Sequence, residues 1–84
     1  MQQFMRKFEQ LNEAEAKVTI AHSLFDNQRF YCSRLQTIND DTRIGVFLKD
    51  YEIFMDKQNV KVAEVEDKKY TISDGRLTII INKM

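Results

Sequence analysis

Lys68-Lys69-Tyr70-Thr71-Ile72-Ser73-Asp74-Gly75-Arg76-Leu77-Thr78-Ile79-Ile80-Ile81-Asn82 is the stretch that decides the fold class of this chain. Two runs rich in β-formers flank Asp74-Gly75, a pair that tolerates the positive φ angles of a tight turn and is a strong hairpin signal. A two-residue turn there sets Ile72 opposite Leu77, Tyr70 opposite Ile79 and Lys68 opposite Ile81 on one face. Thr71 then meets Thr78, and Lys69 meets Ile80, on the other. A three-residue loop mixes the two faces, and register follows such patterns. The expected core side of the hairpin is therefore Tyr70, Ile72, Leu77, Ile79 and Ile81.

Working back along the chain, Val60-Lys61-Val62 begins another strand. It turns near Glu66-Asp67 into the hairpin and brings Glu64 near Lys69. Residues 42–56 admit two readings. As strands with a turn at Lys49-Asp50, Leu48 faces Tyr51, Val46 faces Ile53 and Ile44 faces Met55. As a helix capped by Asp41 or Thr42, Ile44, Phe47, Leu48, Tyr51, Phe54 and Met55 make one stripe, but Val46 and Ile53 fall outside it. Three β-branched residues and Gly45 weaken that helix, whereas Lys-Asp is a poor turn for the hairpin. The strand reading is favoured.

Nearer the N-terminus, Val18, Ile20 and Leu24 alternate with smaller or polar residues, which predicts a first strand ending at Asp26-Asn27. Phe30-Tyr31-Cys32-Ser33-Arg34-Leu35 predicts a second, and Asn39-Asp40-Asp41 breaks the pattern. In residues 1–15 the spacing of Met1, Phe4, Met5, Phe8 and Leu11 predicts an amphipathic helix whose stripe covers a sheet. The expected architecture is one α+β domain over residues 1–84. Its helix (1–15) packs on a β-rich segment (17–82) of five to seven short antiparallel strands, as a small sheet or barrel. A helix followed by short strands is similar in outline to the Sm-like RNA-binding barrels, a likeness of architecture that no motif carries.

Length and composition narrow the function classes. A chain of 84 residues buries only about 60–65% of its unfolded surface, and its single cysteine, Cys32, excludes an internal disulfide scaffold. Association with a partner or with its own copies is one route to added stability. The first residues lack the pattern of a signal peptide and no apolar run approaches a membrane span, so a cytoplasmic, non-membrane protein is expected. Charge balances at 13 basic and 13 acidic side chains, which argues against a strongly basic nucleic-acid binder. It is uneven along the chain: residues 38–67 hold four basic and eight acidic side chains, and residues 68–84 hold four and one. Asp40, Asp41, Asp50, Glu52, Glu64, Glu66 and Asp67 are therefore the candidate acidic partner surface.

Chemistry is sparse. His22 is the only histidine and Cys32 the only thiol, and neither sits in a nucleophile signature. Two such residues cannot close a tetrahedral zinc shell without carboxylates, and two isolated glycines cannot form a phosphate loop. The expectation is no catalytic site, no cofactor and no metal. The one functional-looking stretch is Arg29-Phe30-Tyr31-Cys32-Ser33-Arg34, which interleaves aromatic and basic residues in a segment free of acids from residue 27 to 39. The leading expectation is a small non-enzymatic protein–protein interaction module, adaptor or inhibitor in type, of the sort that phages and mobile elements encode. Self-association belongs to that reading. The alternative is a small barrel that binds single-stranded RNA or DNA through Arg29, Tyr31 and Arg34, with stacking and phosphate neutralisation as its chemistry.

Overall fold

The computed structural model describes residues 2–84. Among them, helix α1 (Gln2–Glu9) precedes eight strands: β1 (Ala16–His22), β2 (Phe25–Cys32), β3 (Gln36–Asn39), β4 (Arg43–Leu48), β5 (Tyr51–Asp56), β6 (Val62–Glu66), β7 (Lys69–Ser73) and β8 (Leu77–Lys83). They form two antiparallel sheets, one in the order β2-β1-β8-β7-β6 and the other β3-β4-β5. The fold is α+β as expected, with more strands than the five to seven anticipated. The sheets do not close into a barrel, so β2, β6, β3 and β5 remain edges.

The hairpin that decides the fold class forms, with a correction to its register. Ile72 pairs with Ile79 and Tyr70 with Ile81, so the two-residue loop is Gly75-Arg76 rather than Asp74-Gly75. The cause is the Asp74 carboxylate, whose Oδ1 accepts the amides of Arg76 at 2.9 Å and Leu77 at 2.8 Å. That bonding places the aspartate at the residue before the loop, and within the loop only Gly75 has a positive φ, 95°. The β3–β4 turn repeats the device, with Asp40 Oδ1 accepting the amides of Thr42 and Arg43. A shift of two residues preserves the faces, so Tyr70, Ile72, Ile79 and Ile81 are buried as expected, while Leu77, beside the turn, is half-buried. The Glu64–Lys69 neighbourhood is also corrected: Glu66 lies opposite Lys69, and Glu64 opposite Thr71.

Residues 42–56 are strands. Leu48 pairs with Tyr51, Val46 with Ile53 and Ile44 with Met55, and Lys49 takes the positive φ of the turn, 53°. Helix α1 is shorter than the expected 1–15. Beyond Glu9 the chain makes isolated turns, Glu13 adopts a φ of 69°, and the amide of Leu35 donates to Ala14. The buried stripe survives, because Phe4, Phe8 and Leu11 enter the core, while Met1 lies outside the described residues. The first hairpin also turns earlier than expected, at Ser23-Leu24, so Asp26-Asn27 lies inside β2 around an irregularity in the ladder.

The inner faces of the two sheets share one core. Ala16, Val18, Ile20, Tyr70, Ile72, Ile79 and Ile81 come from the larger sheet, and Ile44, Val46, Leu48 and Met55 from the smaller, with α1 and Leu35 completing the cluster. No helix among the described residues is long and apolar enough to cross a membrane.

Candidate functional site

Strand β2 is the least covered element of the larger sheet. Every residue from Phe25 to Arg29 is exposed, whichever face it occupies, and only Phe30 and Cys32 are half-buried. The strand pairs with β1 alone. The hairpin it forms with β1 ends in an apolar tip, where Leu24 is 74% and Phe25 69% exposed. His22 organises that tip: its Nδ1 accepts the Leu24 amide at 3.1 Å, and its ring centre lies 5.3 Å from that of Phe25.

The free edge can be resolved by residue. The amides of Met84 and Ser23 donate to the carbonyls of Glu15 and Arg76, which assigns the odd-numbered residues of β1 to hydrogen bonding with β8. Antiparallel ladders alternate, so even-numbered Ala16, Val18 and Ile20 bond to their partners Cys32, Phe30 and Gln28. The backbone groups of Arg29 and Tyr31 therefore point away from the sheet. Folded proteins usually blunt such edges with lysine, proline, short strands or bulges. Here β3 has four residues, and β6 has five with the exposed carboxylates Glu64 and Glu66 among them. Strand β2 has eight residues and contains neither lysine nor proline; its irregularity lies near the tip and leaves Gln28–Cys32 regular.

The end of β2 opens onto a groove of about 360 Å³ between the two sheets, lined by residues 30–34, Gln36 and residues 47–49. The lining residues include Arg34, Lys49, Phe30, Tyr31 and Phe47, and no acidic residue. Two of the three residues expected to contact nucleic acid, Tyr31 and Arg34, thus meet in one place. Arg29 does not line the groove; it stands exposed on the outer face of the sheet, opposite Thr19. The Tyr31 hydroxyl donates to Glu15, and this bond raises the phenol above its ordinary pKa. Register places Lys17 opposite Tyr31 on the same outer face, followed by Asn82 and Lys69. Phe47 and Lys49 were not among the sequence candidates, because only the pairing of β3 with β4 carries them to this groove.

The candidate acidic residues are not gathered into one surface. Asp40 and Asp41 occupy the β3–β4 turn and Asp50 the β4–β5 turn, at opposite ends of β4. Glu64 and Glu66 lie on β6, with Asp67 at the turn beyond it. Asp40 is spoken for: it bonds the Arg43 guanidinium at 2.7 Å, which together with the Thr42 and Arg43 amides holds its carboxyl down at about 2. Glu52 lies 3.6 Å from the same guanidinium, which stacks 4.9 Å from the Phe54 ring. The Cys32 thiol is half-buried, and burial pushes its pKa up. No group of three or more histidine, cysteine or acidic side chains among the described residues is arranged to hold a metal ion. Comparison with protein-family models, with curated proteins and with solved structures returned no significant match.

Proposed function

We propose that this protein is a non-enzymatic interaction module that works by protein–protein contact, adding an extended partner strand to β2. The observation that carries the reading is the free edge of β2, exposed on both faces over Phe25–Arg29, regular over Gln28–Cys32 and ending in an apolar tip. In strand addition, backbone hydrogen bonds supply affinity and side-chain pockets supply specificity. Arg29 and Tyr31 offer the backbone groups, and the adjoining groove is the pocket.

Arg29→Pro tests this without touching the fold. The Arg29 amide faces outward, so proline there removes no native ladder bond, and an edge strand accepts its fixed φ. Partner binding is expected to fall about tenfold or more as edge bonds of about 1 kcal/mol each are lost. Arg29→Ala, which keeps the amide and loses only the side-chain contact, binds more tightly than Arg29→Pro, and the Tm of both variants stays near that of the parent. Equal binding by the proline and alanine variants contradicts the reading.

The groove itself favours a second reading, single-stranded RNA or DNA, because Tyr31 and Phe47 offer stacking surfaces beside Arg34 and Lys49. Its signature is homopolymer binding that weakens steeply with salt. A protein that binds no homopolymer at low ionic strength excludes it.

A further inference from the structure

We infer that the strand added to β2 is β2 of a second copy, paired antiparallel about a two-fold axis at Phe30. The inference rests on the strand-addition reading and names its partner. The register follows from self-complementarity. Centring on Phe30 sets Phe30 against the partner's Phe30, Gln28 against the partner's Cys32, and Arg29 against the partner's Tyr31. Arg29 and Tyr31 both carry outward backbone groups, so this pairing also aligns donors with acceptors. Each guanidinium then lies over a tyrosine ring whose hydroxyl already engages Glu15, placing a cation beside both a π face and a carboxylate. Moving the centre to Arg29 opposes two arginines, and like charges directly opposite are destabilising.

The same register accounts for two features that the isolated chain leaves unsatisfied, the groove without a carboxylate and the exposed apolar tip. Running antiparallel past Gln28, each tip crosses the groove at the far end of the other copy's β2. Asp26 comes alongside the partner's Arg34, with Lys49 on the opposite wall, so the groove that lacks a carboxylate receives one. The exposed side chains of Leu24 and Phe25 reach the apolar part of that groove, where Phe47 is 39% exposed and Leu48 lies beneath. The interface is isologous, so every contact occurs twice. The Arg29–Arg34 stretch that reads as a nucleic-acid motif is, in this arrangement, a self-complementary edge.

Two experiments on the full chain test the inference, both with substitutions at exposed positions. In Gln28→Cys, the new thiol faces the partner's Cys32 as a non-hydrogen-bonded pair about 4.5 Å apart between Cα atoms, within disulfide range. Mild oxidation is expected to convert it to a covalent dimer that reductant reverses: the two thiols lose two protons and two electrons to an added oxidant such as oxidised glutathione. The parent, whose two Cys32 thiols lie four residues out of register, stays uncrosslinked. In the second experiment, Asp26→Arg weakens the dimer measured by light scattering about tenfold or more, since two equivalent ion pairs of up to about 1 kcal/mol each become repulsions. Asp26→Arg combined with Arg34→Asp restores it. A protein that is monomeric at high micromolar concentration, with Gln28→Cys no more crosslinked than the parent, overturns the inference. If that monomer still binds another protein in an Arg29→Pro-sensitive way, strand addition stands and only the identity of the strand is refuted. Dimer mass unchanged by Asp26→Arg overturns the register, and a crosslink through Cys32 alone in the parent does the same. A monomer that binds a uridine homopolymer through Arg34 overturns the inference in favour of the nucleic-acid reading.

Discussion

Gly45→Ala is expected to lower the stability of this domain by about 3 kcal/mol or more, the upper range for overpacking. The backbone conformation of Gly45 is ordinary; what matters is space. Strand β5 crosses so closely that a Cβ at this position falls 2.0 Å from the Ile53 carbonyl oxygen and 2.5 Å from the Phe54 Cα. These are backbone atoms of a paired strand, so no side-chain rotation relieves the clash. Relief requires β4 and β5 to separate, which breaks the Gly45–Phe54 pairing and unseats Ile38, 5% exposed on the other side of the same glycine. A domain of this length holds roughly 4–13 kcal/mol in total, so the variant loses a large share of its stability. Urea denaturation measures the loss; a change below about 1 kcal/mol contradicts this packing.

Phe8→Ala is expected to cost a comparable amount. The Phe8 side chain is completely buried, and its ring lies 5.8 Å from that of Phe4, which meets Tyr70 edge-on at 6.5 Å. This chain of rings ties α1 to the inner face of the larger sheet. Deleting a buried phenylalanine costs about 3–5 kcal/mol, because the cavity adds to the lost transfer energy. Phe8→Leu, which keeps most of the volume, is expected to lose less than half of that. Melting curves of the two variants distinguish a helix that closes the core from one that merely lies on it. Equal and small losses mean the latter.

The parts of the fold legible in the sequence are those where one face is buried. Alternation in Tyr70–Ile72, in Ile79–Ile81 and across Lys49-Asp50 specifies which side chains share a face; the structure buries Tyr70, Ile72, Ile79, Ile81, Ile44, Val46, Leu48 and Met55, while Ile53 is half-buried and Tyr51 is exposed at the edge. Turn position is less legible, because it depends on side-chain bonding rather than on pattern. Asp74-Gly75 reads as the loop itself until the Asp74 carboxylate is seen to cap the next two amides. Ser23-Leu24 carries no turn signal, and an exposed leucine there runs against hydrophobic patterning, which is why Asp26-Asn27 attracted the turn. Strand β3 is too short and too mixed in character to show a period. The candidate site was half visible: the Arg29–Arg34 stretch stood out, yet the free edge and the groove depend on which strand β2 fails to meet. No local pattern encodes that.

Hydrogen exchange of single amides in β2 reads strand addition at the edge itself. In dilute free protein, the amides of Gln28, Phe30 and Cys32, which face β1, are expected to be protected, while those of Arg29 and Tyr31 exchange freely. On association, whether by raising the protein concentration or by adding a bound partner, Arg29 and Tyr31 become protected and the rest of the sheet is unchanged. If both amides still exchange freely in the associated state, no strand adds to β2 and the account is wrong.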